Sequence, residues 1–480
     1  MRIALRFVAA LLGAGVIESF ASTNGLDASF GTGGVVTIGP TPTSGRYIGI
    51  IYALAQQTDG KIIVAARASD PGSPTFVPAI GRLNSDGSWD TTFANDGLFV
   101  LSAGATSLPT GGQLDHVSLF SDGSILASGG SYDGFGPTNF YGCTLLVKLT
   151  SSGTLDTNFA PDDSGSFCFA FALPQHDTFF HFDGLAIDSD DTFYLTTPET
   201  NRDSGAVAHF DQNGVLIPTF GDFGIASLPG LYANLLQLLP DRSPVVAGVA
   251  YSGPSQPYGV GSAHLDVDGN LDTTYGIGGL FINPSTATIG VAPTWAALDS
   301  QDRLLVSDND FYDPPTYASY RLVRVTPGGF IDTAFNANGQ QPGYPGFAQL
   351  VVSGDMSTDY LVSAQPLADG HIFAVGNAGY VAAGDGATDL ALFRLNDDAG
   401  YDMSFGDSNN AGWTSLNIGA TSSSNTSAQA ITVDSSGRIL IVASVQGDIA
   451  GHFCPALVRV IPDRVFTGDF DAQVAFPACP

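Results

Sequence analysis

The stretch Asn84-Ser85-Asp86-Gly87-Ser88-Trp89-Asp90-Thr91-Thr92-Phe93-Ala94-Asn95-Asp96-Gly97 decides the fold, because close copies of it return along the whole chain. The copies have eight aromatic anchors in common, 55 to 70 residues apart: Phe30, Phe93, Phe159, Phe220, Tyr275, Phe335, Phe405 and Phe470. Aspartate stands three positions before the anchor in six copies: Asp27, Asp90, Asp156, Asp272, Asp332 and Asp402. A repeat of this period predicts a solenoid, a propeller or another repeat array.

A second repeated unit lies between the anchors and has the pattern strand, turn, strand. In the first unit the apolar runs Ile51–Gln56 and Lys61–Ala66 flank Asp59-Gly60, which is a strong hairpin signal. We count seven such hairpins, each followed by one strand before the anchor and one after it. Four short strands repeated seven times predict an all-β fold, namely a seven-bladed β-propeller of four-stranded antiparallel blades. A β-solenoid is the alternative.

The N-terminus has the pattern of a secretory signal peptide. Arg2 and Arg6 precede an apolar run, Phe7–Ile17. Ser19-Phe20-Ala21, which follows the run, is a small-x-small cleavage site. The alternative is an uncleaved anchor helix, for which the run is short. We therefore expect residues 1–21 to be a signal peptide and residues 22–480 to be a single propeller domain. The protein would be secreted, periplasmic or at the cell surface, with no membrane span.

The four cysteines occupy the same register in two repeats. Cys143 and Cys454 each lie 16 residues before an anchor, and Cys168 and Cys479 each lie nine residues after it. An even number of cysteines in an exported chain predicts disulfides, here Cys143–Cys168 and Cys454–Cys479. Two pairs of buried free thiols are the alternative.

The predicted disulfides also order the strands within a blade. Because a disulfide requires Cα atoms within about 7 Å of each other, the strands before and after an anchor must be neighbours. The hairpin then occupies the two inner positions, and the strand after the anchor forms the outer edge. Two segments compete for this edge in the last blade, Gly34–Ile38 and Ala472–Phe476. We favour the C-terminal segment, because a cystine would fix it in place.

The net charge of −30, with 16 basic and 46 acidic residues, excludes two classes of partner. Nucleic acid binding needs clustered lysine and arginine, and an anionic membrane surface would repel the chain for the same reason. The acidity suits solubility and, weakly, divalent cations. We expect a monomer whose ligand is an unidentified protein or glycan.

The repeated phrase resembles a known family. Arg82-Leu83-Asn84, Asp86-Gly87 and Asp90-x-x-Phe93, preceded by Asp59-Gly60-Lys61-Ile62, are similar to the delta-60 repeat, a bacterial β-propeller repeat of unknown function. The resemblance covers nearly all of the mature chain and implies an exported propeller. It implies no activity and no site residues. The copies at Phe220 and Phe470 depart from the pattern, with Ile217 and Thr467 at the aspartate position.

A basic or titratable residue stands eleven positions before every anchor except the first: Arg82, Lys148, His209, His264, Arg324, Arg394 and Arg459. These groups could form a positive ring that binds an anion at the axis, or a buried clamp on the motif aspartate of each blade. The predicted strand order places them on the third strand from the axis, which favours the clamp. His209 supports the same interpretation, because its repeat also lacks the aspartate.

Other site signals in the sequence are weak. Asp308, Asp310 and Asp313 alternate as calcium ligands can, but EF-hand spacing is missing, so we favour a solvated acidic loop. His176 and His181 form the only His-rich patch, too few ligands for zinc. Nucleophile-elbow and phosphate-loop motifs are absent from the sequence.

We therefore expect a binding or scaffold module with no catalytic residue and no cofactor. The first alternative is a propeller enzyme, a hydrolase or lyase acting on polysaccharide or ester, whose site lies in rim loops and leaves no linear motif. The second alternative is a calcium-stabilised surface adhesin.

Overall fold

The computed structural model describes residues 25–73, 75–101, 111–132, 144–160, 164–169, 184–198, 204–251, 257–284, 293–307, 320–339, 343–350, 360–379, 388–406, 412–419, 424–446 and 453–462. Within these ranges the chain forms strands β1 to β30, numbered in chain order. No helix long and apolar enough to cross a membrane is found in the same ranges.

Each blade has four radial positions. The first strands are β2 (Tyr47–Gln56), β7 (His116–Leu119), β11 (Leu185–Ile187), β15 (Leu231–Leu238), β19 (Ala296–Leu298), β24 (Tyr360–Pro366) and β28 (Thr426–Val433). The second strands are β3 (Ile62–Ser69), β8 (Ile125–Tyr132), β12 (Phe193–Pro198), β16 (Pro244–Tyr251), β20 (Leu304–Ser307), β25 (Ile372–Gly379) and β29 (Ile439–Gln446).

The third strands carry the basic position of the repeat. They are β4 (Val77–Leu83), β9 (Thr144–Leu149), β13 (Ser204–Phe210), β17 (Pro257–His264), β21 (Tyr320–Val325), β26 (Thr388–Leu395) and β30 (Phe453–Val460). The outer strands are β1 (Val35–Thr37), β5 (Leu98–Val100), β10 (Ser166–Phe169), β14 (Ile225–Pro229), β18 (Leu280–Pro284), β23 (Phe347–Leu350) and β27 (Trp413–Leu416). Short additional strands, β6 (Gly111–Gly112) and β22 (Gly343–Tyr344), pair with β8 and β23.

The predicted fold is confirmed, because the strands form seven antiparallel sheets in which first, second, third and outer strands are hydrogen-bonded in that order. Each first strand contacts the first strands of the two neighbouring blades, β2 touching both β7 and β28, so the ring closes around an axis. The core lies between the blades. All the described anchors are at most 3% exposed: Phe30, Phe93, Phe159, Phe220, Tyr275, Phe335 and Phe405. Phe470 lies outside the described residues.

The hairpin turns share one backbone requirement. The residue two positions before each second strand has a positive φ in all seven hairpins: Gly60, Gly123, Asp191, Arg242, Asp302, Gly370 and Gly437. Glycine takes this conformation without strain and aspartate tolerates it better than most residues. This requirement explains why Asp-Gly recurs in the sequence, and it makes Arg242, at φ 76°, the exceptional position.

The ring is closed by the N-terminal strand, so the expectation that Ala472–Phe476 lies next to the third strand of the last blade was wrong; Ala472–Phe476 itself lies outside the described residues. β1 pairs antiparallel with β30, with Val35 opposite Val458 and Thr37 opposite Ala456. The last blade therefore combines one N-terminal strand with three C-terminal strands. The cause is the motif aspartate: Asp27 of the N-terminal copy lies beside Arg459, where the C-terminal copy would offer only Thr467.

Cys168 and Cys454 are both disulfide-bonded. Their expected partners, Cys143 and Cys479, lie outside the described residues, so the two pairings stay predictions. Cys168 is in β10 and faces Leu145 of β9. The strand before the anchor and the strand after it are thus neighbours, as the cysteine register requires.

Candidate functional site

The conserved charges of the repeat form a clamp, which is best seen in the first blade. Arg82 Nε donates to Asp90 Oδ2 at 2.8 Å, and both side chains are buried. The guanidinium carbon lies 4.6 Å from the centroid of the Phe93 ring. Arg82 Nη1 also donates to the Ser151 carbonyl oxygen of the next blade at 2.6 Å. One arginine therefore joins the anchor, the aspartate and the neighbouring blade.

The other blades repeat this arrangement with small variations. The cation meets its motif aspartate in Lys148–Asp156 at 3.2 Å, Arg324–Asp332 at 2.7 Å, Arg394–Asp402 at 3.1 Å and Arg459–Asp27 at 2.8 Å. Three of these cations also donate a hydrogen bond to a backbone carbonyl oxygen of the next blade: Lys148 to Gln212, Arg324 to Asp397 and Arg459 to Ser85. These cations lie on the third strands and already bind the motif aspartates and backbone carbonyls. They therefore do not form an anion-binding ring at the axis.

The two histidine copies differ from each other. His264 Nδ1 lies 2.9 Å from Asp272 Oδ2, and hydrogen bonds from Thr274 and His264 lower the pKa of Asp272 to about 2. His209 has Ile217 in place of an aspartate, bonds Thr192 Oγ1 at 2.9 Å and stacks on Tyr194. Burial lowers the pKa of His209 to about 4, so this imidazole is neutral and holds no clamp.

The glycine of the repeat turn docks five blades onto the preceding anchor, whereas the turn after β26 has Ala399, at φ 70°, in its place. Gly153 has φ +86°, and a Cβ added there would lie 2.7 Å from the Phe93 ring. Next to it, the Ala94 amide donates to the Ser152 carbonyl oxygen at 3.0 Å. Gly87 against Phe30, Gly214 against Phe159, Gly269 against Phe220 and Gly329 against Tyr275 repeat the contact. The phrase that repeats in the sequence is therefore the lock between blades.

With the clamps assigned to structure, the remaining candidate is a cavity on the axis. Its volume is about 540 Å³, and residues from the first-strand segment of all seven blades line it. Tyr52, Trp295, Gln365 and Gln429 are among them, together with His116. Pockets that bind small molecules usually occupy about 300–1,000 Å³ and combine apolar walls with a few polar groups.

A backbone irregularity in the first strands accompanies the polar part of this cavity. The register of four first strands shifts at an extra residue: Tyr52 in β2, Asn234 in β15, Val362 in β24 and Gln429 in β28. A bulge of this kind re-aims a side chain, and bulges are frequent next to binding sites. We call this set the bulge positions; three of them, Tyr52, Val362 and Gln429, line the cavity.

The cavity changes character toward the hairpin turns. The lining residues that follow the bulge positions by two are aliphatic: Leu54, Leu236 and Ile431 in the strands with bulges, accompanied by Val117, Leu185 and Ala296. Gln237 and Gln365 lie still closer to the turns. The cavity therefore has three levels along the axis. Polar and aromatic side chains form the first, aliphatic side chains form the second, and the amides of Gln237 and Gln365 form the third, nearest the turns.

His116 and Asp115 are the titratable lining residues, and both belong to the second blade. The Nε2 atom of His116 is fully buried and has no hydrogen-bond partner. Burial lowers the pKa of His116 to about 4, so the ring is neutral at physiological pH. Asp115 Oδ1 accepts a hydrogen bond from Gln113 Nε2 at 2.8 Å. Of the described residues that line the cavity, Asp115 alone is a carboxylate and none is lysine or arginine.

The sequence candidates for other chemistry fall elsewhere. Asp308, Asp310 and Asp313 lie outside the described residues, as do His176, His181 and most of the long rim connections. In the described part of the chain, no three His, Cys, Asp or Glu side chains could hold a metal ion together. Trp295 and His116 were missed from the sequence. The sequence signal was a bulky ring at one first-strand position. The other blades have alanine, glycine, serine or leucine at the equivalent position.

Comparison with known proteins finds a partial match to one family model and indicates no activity. Residues 57–93 match the model of a family described as a domain of unknown function (DUF5122) beta-propeller. This match supports a propeller repeat family and covers one repeat. No curated protein matches the chain.

Several solved structures resemble the fold. A PQQ-bound aldose sugar dehydrogenase from Streptomyces coelicolor is 12% identical, with a TM-score of 0.38 over 88% of this chain and 98% of that one. The β-propeller domain of the Trilobed protease from Pyrococcus furiosus is 9% identical, with a TM-score of 0.39 over 89% and 98%. A GH74 xyloglucanase from Xanthomonas campestris is 12% identical, with a TM-score of 0.39 over 92% and 62%. At these values the likeness concerns the fold alone.

Proposed function

We propose that the protein is an exported binding module that holds its ligand in the axial cavity. The observation that carries this proposal is the composition of the cavity wall. The described motif cations lie in or beside the blade locks, whereas aromatic, amide and imidazole groups from different blades meet at the axis. Such a mixed wall in a concave site of this volume is typical of ligand binding.

The geometry favours binding over catalysis. Polysaccharide hydrolysis generally uses two carboxyl groups that flank the scissile bond, and among the described lining residues Asp115 has no second carboxylate beside it. The neutral His116 can donate or accept a hydrogen bond, which is what orienting a ligand requires.

Export is a part of this proposal that rests on the sequence. The signal-like residues 1–21, the two predicted disulfides and the resemblance to the delta-60 repeat all favour a secreted, periplasmic or surface-exposed protein. We also propose a monomer. Cell fractionation and N-terminal sequencing of the mature protein test the export, and sedimentation equilibrium tests the oligomeric state. A full-length protein retained in the cytoplasm would refute the export.

Thermal shifts of the mature protein test binding at the axis. A library of small extracellular molecules, peptides and glycans should contain compounds that raise the Tm, because a ligand at 100 times its Kd stabilises the folded state by about 2.7 kcal/mol. The Trp295→Ala variant, altered in the cavity wall, should lose the shift. The matched variant Trp413→Ala, altered on outer strand β27, should keep it. Ligands that stabilise both variants equally would place binding elsewhere and refute the proposal.

A further inference from the structure

We propose that the ligand of the axial cavity is an uncharged sugar of one or two rings. This inference rests on the proposed function, since it names the chemical class that the same cavity would bind. Three properties of the wall carry it: the chemistry of its hydrogen-bonding groups, its charge and its aromatic rings.

The hydrogen-bonding groups of the wall are mainly neutral and two-sided. Gln237, Gln365 and Gln429 each carry an amide that can donate and accept, and Ser363 adds a hydroxyl. A sugar hydroxyl also donates and accepts, so it can satisfy such groups in either direction. The amides come from three different blades, on β15, β24 and β28, with Gln429 at the bulge level and Gln237 and Gln365 nearer the turns. A ring of hydroxyl groups fits a wall that presents polar atoms from several directions.

His116 adds a buried polar atom that needs a partner. Its Nε2 atom is buried and has no hydrogen bond within the protein, while other atoms of the residue line the cavity. A buried nitrogen left without a partner costs about 1–3 kcal/mol, and such groups in folded proteins nearly always bond protein, water or ligand. A ligand hydroxyl can satisfy it once the imidazole turns its Nε2 atom toward the cavity. Because the imidazole is neutral, this bond does not require a charged ligand.

The charge of the wall disfavours ionic ligands. The described lining residues include no lysine or arginine to pair with a carboxylate or phosphate, and the whole chain carries a charge of −30, which repels anions. The sole lining carboxylate, Asp115, is already bonded by Gln113. One carboxylate in this environment can accept from a hydroxyl, as it accepts from the amide.

The aromatic rings supply the apolar half of the recognition. Trp295 and Tyr52 line the cavity from different blades, and both rings are amphipathic, with an apolar face and a polar edge. A pyranose ring has C–H faces that pack on such a surface while its hydroxyls point to the rim. Neither a peptide nor a lipid tail needs aromatic ring faces and neutral two-sided groups in the same cavity.

Titration of the mature, oxidised protein with glucose, maltose and cellobiose, followed by tryptophan fluorescence and calorimetry, tests this inference. The chain has three tryptophans, and Trp295 is the one that lines the cavity. We expect a saturable fluorescence change that Trp295→Phe abolishes and Trp413→Phe preserves. Gln365→Ala should weaken binding by about three- to tenfold through the lost hydrogen bond, and Gln349→Ala on outer strand β23 should not change it. Glucuronate and glucosamine, the charged analogues, should bind more weakly than glucose.

The outcomes separate the ligand class from the site. If glucuronate or glucosamine binds more tightly than every neutral sugar and Gln365→Ala weakens it, the uncharged class is wrong while binding at the axis stands. If the neutral sugars bind but neither Trp295→Phe nor Gln365→Ala changes the affinity, the sugars bind elsewhere and the axial site is wrong. If no neutral sugar binds at millimolar concentration, the class is wrong, and the thermal-shift library decides the binding function by itself.

Discussion

The Asp27→Ala variant removes the ionic contact that closes the ring. Asp27 Oδ2 accepts from Arg459 Nε at 2.8 Å and from Arg438 Nη1 at 2.9 Å, and its Oδ1 accepts from Ser29. Burial alone would raise the pKa of Asp27, but these hydrogen bonds and the two guanidinium groups outweigh it, so the net pKa is lowered. The carboxylate is therefore charged in the folded protein and ties the N-terminal copy to the last blade.

The expected cost is large because one of the guanidinium groups stays buried. The Arg459 side chain is 4% exposed, and the contact with Asp27 is its ion pair. Arg438 keeps Asp434 at 2.6 Å and loses less. Breaking a buried pair by removing one partner costs about 3–5 kcal/mol. At about 2.1 cal/mol/K of unfolding entropy per residue, a chain of 480 residues that unfolds as a unit loses about 1 °C per kcal/mol, so we expect Tm to fall by about 3–5 °C.

Calorimetry and hydrogen exchange measure this effect in two independent ways. Asp70→Ala is the matched control, because its ion pair with Arg46 is exposed (36% and 64%) and should be worth at most about 1 kcal/mol. In Asp27→Ala, the amides of β1 and β30 should exchange faster, whereas those of β12 and β13 across the ring should not. The closure argument is refuted if Asp27→Ala is no less stable than Asp70→Ala, or if faster exchange is spread evenly over the blades.

Four further predictions concern the locks, the acid response and the disulfides. In urea unfolding, Gly153→Ala should cost about 1–3 kcal/mol more than Gly437→Ala. Both glycines have positive φ, but only Gly153 has an aromatic ring within 3 Å of the new Cβ. Equal costs would show that the contact with Phe93 does not stabilise the fold. The pKa of Asp272 is lowered from 3.8 to about 2, so its charged form stabilises the fold fully above pH 3.8 and this stabilisation is lost as the pH falls toward 2. The difference in unfolding free energy between wild type and Asp272→Asn should therefore decrease over that pH range. A constant difference would contradict this prediction. His116 has a pKa lowered from 6.5 to about 4, so the unfolded chain takes up its proton first and stability falls as pH decreases through that window; His116→Gln should flatten the curve there, and an unchanged slope would show that His116 is not buried. Cys168→Ser should cost about 3–4 kcal/mol for a loop of about 25 residues, and peptide mapping without reductant should find Cys168 linked to Cys143 rather than to Cys454.

The fold could be predicted from the sequence because the repeated phrase encodes a contact between blades. The aspartate, the glycine and the aromatic anchor each make one part of the lock, so their spacing is the same in every copy that has them, although Ile217, Thr467 and Ala399 replace single members. Ring closure was mispredicted because two incomplete copies competed for one edge. The N-terminal copy has Asp27 but no cation eleven residues before Phe30, and the C-terminal copy has Arg459 but Thr467. Each copy lacks what the other supplies, and this complementarity was the signal for closure.

The candidate site could not be predicted in the same way, because no segment of the sequence contains it. Trp295 and His116 are 179 positions apart in the chain and line the same cavity only because the seven first strands surround the axis. Neither residue belongs to a motif. The first alternative, a propeller enzyme with its site in rim loops, considered only the long connections between strands. The length of a connection gives no information about the side chains on the first strands.

The seven repeats within this one chain separate positions that hold the blades from positions that are free to differ. The clamp position is basic or an imidazole in every blade, and the described anchors are all aromatic and buried. The bulge positions, by contrast, hold Tyr52, Asn234, Val362 and Gln429, which differ in size, polarity and hydrogen-bonding capacity. Blade locking uses mainly the third strand and the repeat turn; among the bulge positions, Asn234 bonds the next blade, to the Pro293 carbonyl oxygen at 2.9 Å, and Tyr52, Val362 and Gln429 line the cavity. Substitutions at these three lining positions can therefore alter what the axis recognises while the locks hold the ring, and this is where a change of ligand would be engineered first.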